Sequence, residues 1–306
     1  MAILDAIGRH PRLAALLGAA CIAFSGIFYR YAGVSPSSAT FFRCLYGLPL
    51  LALVAFVEHR RYGSLGWGTV RLAALAGVFF AGDLTAWHHA IEAVGAGLAT
   101  VLGNLQVLVV GVAAWLFLGE RPSRATIVAV PVVLVGIVLI SGVVGAGAYG
   151  ENPPLGVLLG VLTAFCYAGY LLMIRRSGRD ERRPAGPVTV STFATMMTAV
   201  VIGVPMGDLD VVPAWPAHGW LALYGVTSQS LGYLLISLSL PRLPAVLTSI
   251  ILLAQPVATV VLAMILLAEA PSVPQLLGIV LVIGGIAIAT VPLGRLRRAF
   301  APASSG

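Results

Sequence analysis

Charge is what this chain has least of. Only 9% of its 306 residues are charged, against roughly a quarter in a soluble domain. Apolar residues make up 59%, and the mean hydropathy is +1.00. No water-soluble packing hides that much apolar surface, so a soluble globule is excluded and lipid is the solvent. Lysine is absent altogether, and the net charge of +7 rests on 18 arginines. They sit in short connections between apolar stretches, a placement that reads as topology signalling and not as a nucleic-acid surface. The three cysteines, Cys21, Cys44 and Cys166, all lie inside apolar runs. None has metal-ligand spacing, and they read as small apolar residues. No G-x-x-x-x-G-K-S/T, no H-E-x-x-H and no Asp-rich metal motif occurs. That removes a P-loop as energy source and leaves an enzyme without a constellation to work with; no cofactor is expected.

What is present is a duplication. Ala113 to Ser123 reads AAWLFLGERPS, and 149 positions later Leu262 to Ser272 reads LAMILLAEAPS, with five identities in eleven. The offset runs without gaps from about Leu72 to Ser141. It pairs Gln106 with Gln255, Glu120 with Glu269, Pro122 with Pro271 and Gly136 with Gly285. Duplicated membrane halves are a common plan for secondary transporters, whose substrate site lies at the repeat interface. A receptor or scaffold has no comparable need for such symmetry.

A bilayer core takes about 20 apolar residues per helix. Runs between Arg, Pro and polar breaks predict ten spans, near 12–30, 36–57, 70–91, 95–118, 125–144, 154–174, 188–206, 218–240, 244–267 and 273–292. The first is long for a signal peptide and is expected to be retained. The predicted units are residues 1–145, residues 150–294 and a basic tail over 295–306. With the N-terminus in the cytoplasm, sixteen arginines face that side, Arg30 faces the other and Arg43 lies within a span. Both termini are then cytoplasmic, in a multi-pass protein of the cell (inner or plasma) membrane. Glu92, Glu151, Asp208, Asp210 and Glu269 take the opposite face. Five spans per half is an odd number, so the halves insert in opposite orientation. The expected fold is all-α and integral to the membrane: ten transmembrane helices in two inverted five-helix repeats.

Three segments carry a family resemblance: WLFLGERPS (Trp115 to Ser123), TFFRCLYGLPLL in the second span, and GDLTAWHHAIEAVGAGLATVLGNLQVL across the third and fourth. With them the chain resembles the drug/metabolite transporter superfamily, in its ten-helix EamA-type branch. The resemblance implies a carrier whose central cavity is lined mostly by helices three, four, eight and nine. One departure stands out: family members commonly carry proline where this chain has Gln106-Val107, and only the second repeat keeps it, as Gln255-Pro256.

Arg43 and Asp83 are the strongest site candidates. Intramembrane charges usually pair or line a cavity, and these two fall at similar depth on adjacent helices, which allows an ion pair. His88 lies five residues beyond Asp83 and shares a face with Glu92; a proton-linked gate and an interfacial polar cap both fit it. Trp87, Asn104, Gln106, Tyr170, Gln229, Tyr233 and Gln255 supply amides and aromatics, a lining suited to a small zwitterion or organic anion. Interhelical hydrogen bonding is the alternative for each of them singly. Glu120-x-Pro122 and Glu269-x-Pro271 read as structural junctions, each glutamate placed to accept from the start of the helix that follows. The expected function is export of a small metabolite, an amino acid or related compound, with protons as a conceivable coupling ion and a monomer or homodimer as the assembly. A nucleotide-sugar or phosphorylated-metabolite carrier would want more buried cations than Arg43 alone.

Overall fold

The structure is a computed structural model of the chain and describes residues 10–106, 108–109, 112, 124–140, 149–178, 180, 182–239 and 254–290. All regular structure among these residues is helical. The helices are α1 Pro11–Ala32, α2 Pro36–Tyr62, α3 Trp67–Val94, α6 Pro153–Ser177, α7 Ala185–Met206 and α8 Trp215–Ser239, each long and apolar enough to cross a bilayer. Between and after them come α4, which begins as Ala96–Gly103, then α5 Arg124–Ile140, α9 Ala254–Leu266 and α10 Val273–Thr290. These ten fall where the ten spans are predicted.

The helix ends follow local chemistry. Pro36 and Pro153 occupy first-turn positions, where the missing N–H costs nothing. Asn152 caps α6 by accepting from Leu155 N at 3.2 Å. Gly95, at φ +87°, lets the chain leave α3 and enter α4 within one residue.

The packing partners of each helix reveal the symmetry. α3 packs on α6 and α7, while α8 packs on α1 and α2. α4 packs on α6, and α9 packs on α1. The pairs α2–α7, α4–α9 and α5–α10 are each their own counterpart. Adding five to every helix number of the first repeat, and subtracting five in the second, returns the same set. Single residues repeat it. A Cβ on Gly136 would press on Gly278 and Val282, and one on Gly285 on Ala129 and Val133, which are those same two positions displaced by 149. Each repeat therefore buries its helices mainly against the other, the close approach depending on small residues at the crossings.

The two ends of the bundle differ in charge. At one end Tyr29 Oη donates to Glu92 Oε1 at 2.8 Å, and His89 lies 3.3 Å from Glu92 Oε2 and 3.7 Å from Asp208 Oδ2. Glu269 lies at this end too. At the other, Arg182 pairs with Asp180 at 2.8 Å and covers the Tyr62 ring, and Arg183 donates to the carbonyls of Gly63 and Ser64. Glu58 there accepts from the Ala185 and Gly186 amides at 2.9 Å each, so the end of α2 caps the start of α7.

Glu269 departs from the sequence expectation. It does not cap the helix that follows it. Its oxygens accept from Ala96 N at 2.6 Å and Gly97 N at 3.1 Å, the exposed amides of α4 in the other repeat. Burial pushes its carboxyl above the ordinary range, while those two N–H donors pull the other way. The start of α10 is served instead by Gln275 Oε1, which accepts from Ser272 N at 3.0 Å, with Pro271 just before it. Glu120 and Pro122 lie outside the described residues, as does the 295–306 tail.

Candidate substrate site

The charged centre of the molecule is built on α2. Arg43 is 2% exposed, among the largest buried side chains of the chain. Its Nε donates to Gln229 Oε1 at 2.8 Å and its Nη1 to Tyr224 Oη at 2.7 Å. The guanidinium lies over the rings of Tyr224, Phe80 and Tyr233, at 4.6, 5.5 and 5.7 Å from their centroids. Planar stacking together with directed donors is what guanidinium supplies and ammonium does not. Gln229 is held in turn by donating from Nε2 to Thr192 Oγ1 at 2.8 Å. Phe80 and Gln229 are equivalent positions of the two repeats, so each repeat contributes one contact to Arg43 from the same place.

The expected Arg43–Asp83 ion pair is not formed. Among the described residues the ion pairs are His89–Glu92, His89–Asp208 and Arg182–Asp180. The physical reason is that Gln229 and Tyr224 hold Nε and Nη1 on the α8 side. Asp83, 6% exposed, instead faces a cavity of about 60 Å³ that Arg43 also borders. Trp87, Asn104, Tyr167, Tyr233 and Gln255 complete its more polar and aromatic wall. A water needs about 10–15 Å³ of such volume, so there is room for a few waters or a small ligand head. Ser25 lines the same space, 2% exposed, with its hydroxyl unpartnered among the described residues.

His88 does not reach this cavity and does not meet Glu92. Its two ring nitrogens each meet a hydroxyl: Nδ1 lies 3.0 Å from Thr40 Oγ1, itself 3.0 Å from Pro36 O, and Nε2 lies 3.1 Å from Tyr224 Oη. Tyr224 Oη accepts from Arg43 Nη1, so the imidazole helps to hold the hydroxyl that meets the guanidinium. The neighbour His89 takes the contact with Glu92, at three-residue spacing.

The other candidates divide in two. Arg43, Asp83, Trp87, Asn104, Tyr233 and Gln255 come together around the cavity, and Asn104 donates from Nδ2 to Thr100 O at 2.8 Å beside it. Gln229, His88 and Tyr170 stand behind it; Tyr170 stacks on Phe80 with centroids 4.4 Å apart. Gln106 is buried but is not part of the wall. The lining also extends beyond helices three, four, eight and nine, taking Ser25 from α1, Arg43 from α2, and Thr163 and Tyr167 from α6.

Sequence reasoning passed over Tyr224 and Ser25. Tyr224 precedes Gln229 by five residues, a spacing that scatters them on an α-helix. Residues Gly225–Gly232 form a π-helical stretch, however, and the wider turn brings both onto Arg43. Such stretches recur at functional sites.

Two inverted five-helix repeats, crossed over one another around a cavity that Arg43 and Asp83 both border, define a membrane transporter. The comparison with known proteins agrees: the chain belongs to the EamA-like transporter family, which matches residues 12–142 and 154–291. It is 23% identical over 270 residues to an uncharacterized transporter, YxxF, of Bacillus subtilis (strain 168), covering 87% of this chain and 85% of that one. It is 24% identical over 279 residues to an uncharacterized transporter of Archaeoglobus fulgidus, covering 87% and 93%. A crystal structure described only as that of a protein shares the fold, with a TM-score of 0.62 at 20% identity over 92% of this chain and 98% of the other.

Proposed function

We propose that this transporter exports a small zwitterionic metabolite, an amino acid or a close relative, by alternating access between its two repeats. The observation that carries the reading is that Arg43 and Asp83 border one cavity and that neither takes part in an ion pair among the described residues. A carboxylate on the ligand suits the remaining guanidinium donors of Arg43, and an ammonium group suits Asp83. Trp87, Tyr167 and Tyr233 offer the apolar body of such a ligand its aromatic surface, while Ser25, Asn104 and Gln255 offer hydrogen bonds. Arg43 is the single cation among the described residues of the lining, which favours one carboxylate over a diphosphate or sugar phosphate.

In this reading the protein is a carrier and not an enzyme, built as units 1–145 and 150–294 and sited in the cell membrane. The arginine-rich end faces the cytoplasm with both termini, and the Glu92–Asp208–Glu269 end faces out. Asp83, a carboxylate open to the cavity, is the natural group for any proton coupling, and the working assembly is a monomer or homodimer.

The test is ligand-induced thermal stabilisation of purified protein in nanodiscs. Amino acids are compared with their des-amino and decarboxylated counterparts. Zwitterions are expected to stabilise at concentrations at least about tenfold lower, since each charge-assisted hydrogen bond contributes on that scale. Equal stabilisation by des-amino acids would remove Asp83 from substrate binding.

A further inference from the structure

At the acidic end of the bundle the two repeats are joined by directed bonds as well as by packing. Glu269 belongs to the second repeat, and the Ala96 and Gly97 amides that it binds belong to the first. The carboxylate is 4% exposed, and it takes part in no ion pair among the described residues. The positive end of α4 is its main polar partner. The fit is close: a Cβ on Gly95 would stand 2.9 Å from Glu269 Cδ and 2.8 Å from Tyr149 Cε1. Beyond the cap, α4 runs directly into the cavity wall through Thr100, Gly103 and Asn104.

Further bonds cross between elements around the same point. Tyr31 Oη donates to Leu266 O at 2.9 Å, tying α1 to the end of α9. Asn152 N donates to Ala93 O at 3.0 Å, tying the start of α6 to α3. Gln275 Nε2 donates to Tyr149 O at 2.9 Å. In an inverted-repeat carrier, opening one end moves parts of the two repeats apart. Bonds inside one repeat survive that motion, and bonds between repeats at the opening end do not. Charge-assisted bonds are the strongest of those to be released, and water entering the gap rehydrates both the carboxylate and the amides.

We propose that Glu269 is the latch of the acidic end: it holds α4 against the α9–α10 junction while that end is shut, and releases Ala96 and Gly97 when the cavity opens there. The inference rests on the alternating access proposed above and assigns one residue to one of its gates. A helix cap of purely local effect would protect only the first amides of α4. A latch protects the whole end.

Hydrogen exchange followed by mass spectrometry, on the full chain in nanodiscs, separates the two. With Glu269→Gln the latch predicts exchange about tenfold faster over residues 95–103, the scale of a lost charge-assisted bond. The same acceleration is expected over 27–33 and 149–156, which make none of Glu269's bonds. Segments 58–65 and 183–190, at the arginine-rich end, keep wild-type exchange and report an intact fold. Acceleration confined to 95–103, or none anywhere, overturns the proposal. Should Glu269→Gln fail to fold, Glu269→Asp shortens the reach by one methylene and is read by the same outcomes. No substrate is needed, so a failed latch leaves the transport assays untouched, and a failed substrate assignment leaves the latch standing.

Discussion

Arg43 and Asp83 border one cavity without bonding to each other, because Gln229 and Tyr224 hold the guanidinium on the α8 side. A closed ion pair would have to be broken by each arriving ligand. An open pair presents both charges to one molecule at once, and a buried charge without a partner is stable only where a cavity supplies water or ligand in its place.

The carboxylate is the more telling half to remove. Asp83→Asn keeps shape and removes charge. Apparent affinity for amino-bearing substrates is expected to fall about tenfold or more, the scale of one charge-assisted hydrogen bond, while affinity for des-amino analogues stays unchanged. Competition assays with the two analogue classes measure the split.

Tyr224→Phe deletes one hydroxyl and leaves two buried groups short, Arg43 Nη1 and His88 Nε2. Orphaned buried donors and acceptors cost about 1–3 kcal/mol each. The variant should unfold at lower temperature and bind substrate more weakly through a loosened Arg43. A conformationally neutral result, with both quantities at wild-type values, would contradict the role of Tyr224 as the link between His88 and Arg43.

Stability and binding should separate at Glu58. Its two oxygens satisfy the Ala185 and Gly186 amides at the start of α7, well away from the cavity lining. Glu58→Ala is expected to lower stability by about 1–2 kcal/mol, as for other helix caps, with substrate affinity unchanged. Chemical denaturation in detergent and a binding titration on the same preparation check both halves.

Helix crossing makes a sharper contrast between two glycines of α3. A methyl group on Gly77 would run into the Ser191 carbonyl oxygen and the Ala194 side chain of α7, whereas Gly68 has open space around it. Gly77→Ala should destabilise by about 1–3 kcal/mol through overpacking. Gly68→Ala should lie within about 0.5 kcal/mol of wild type.

The fold was legible where chemistry is local. Ten apolar runs and the 149-residue offset appear in the structure as helices and symmetric packing. Residues whose role depends on a neighbour in space were less legible. Arg43 and Asp83 could be placed by depth on adjacent helices. Glu269 could not, because its partner lies 173 residues away across the repeat boundary, and the adjacent helix start offered a nearer set of amides that Gln275 serves instead. His88 was matched to Glu92, which His89 meets instead, because three- and four-residue spacings both reach that carboxylate and only Tyr224 and Thr40 draw His88 away from it. Tyr224 itself was hidden by the π-helical turn, which breaks the 3.6-residue rhythm that face assignments assume.

The measurement that tests the account most directly is counterflow in proteoliposomes loaded with pooled unlabelled amino acids and challenged with labelled ones. The account predicts accumulation of at least one zwitterion, abolished by Arg43→Ala and not restored by Arg43→Lys, because ammonium cannot reproduce the stacked, two-sided geometry around Tyr224 and Gln229. Accumulation that survives Arg43→Ala undiminished in folded protein would contradict it, and would move the substrate site away from the cavity between the repeats.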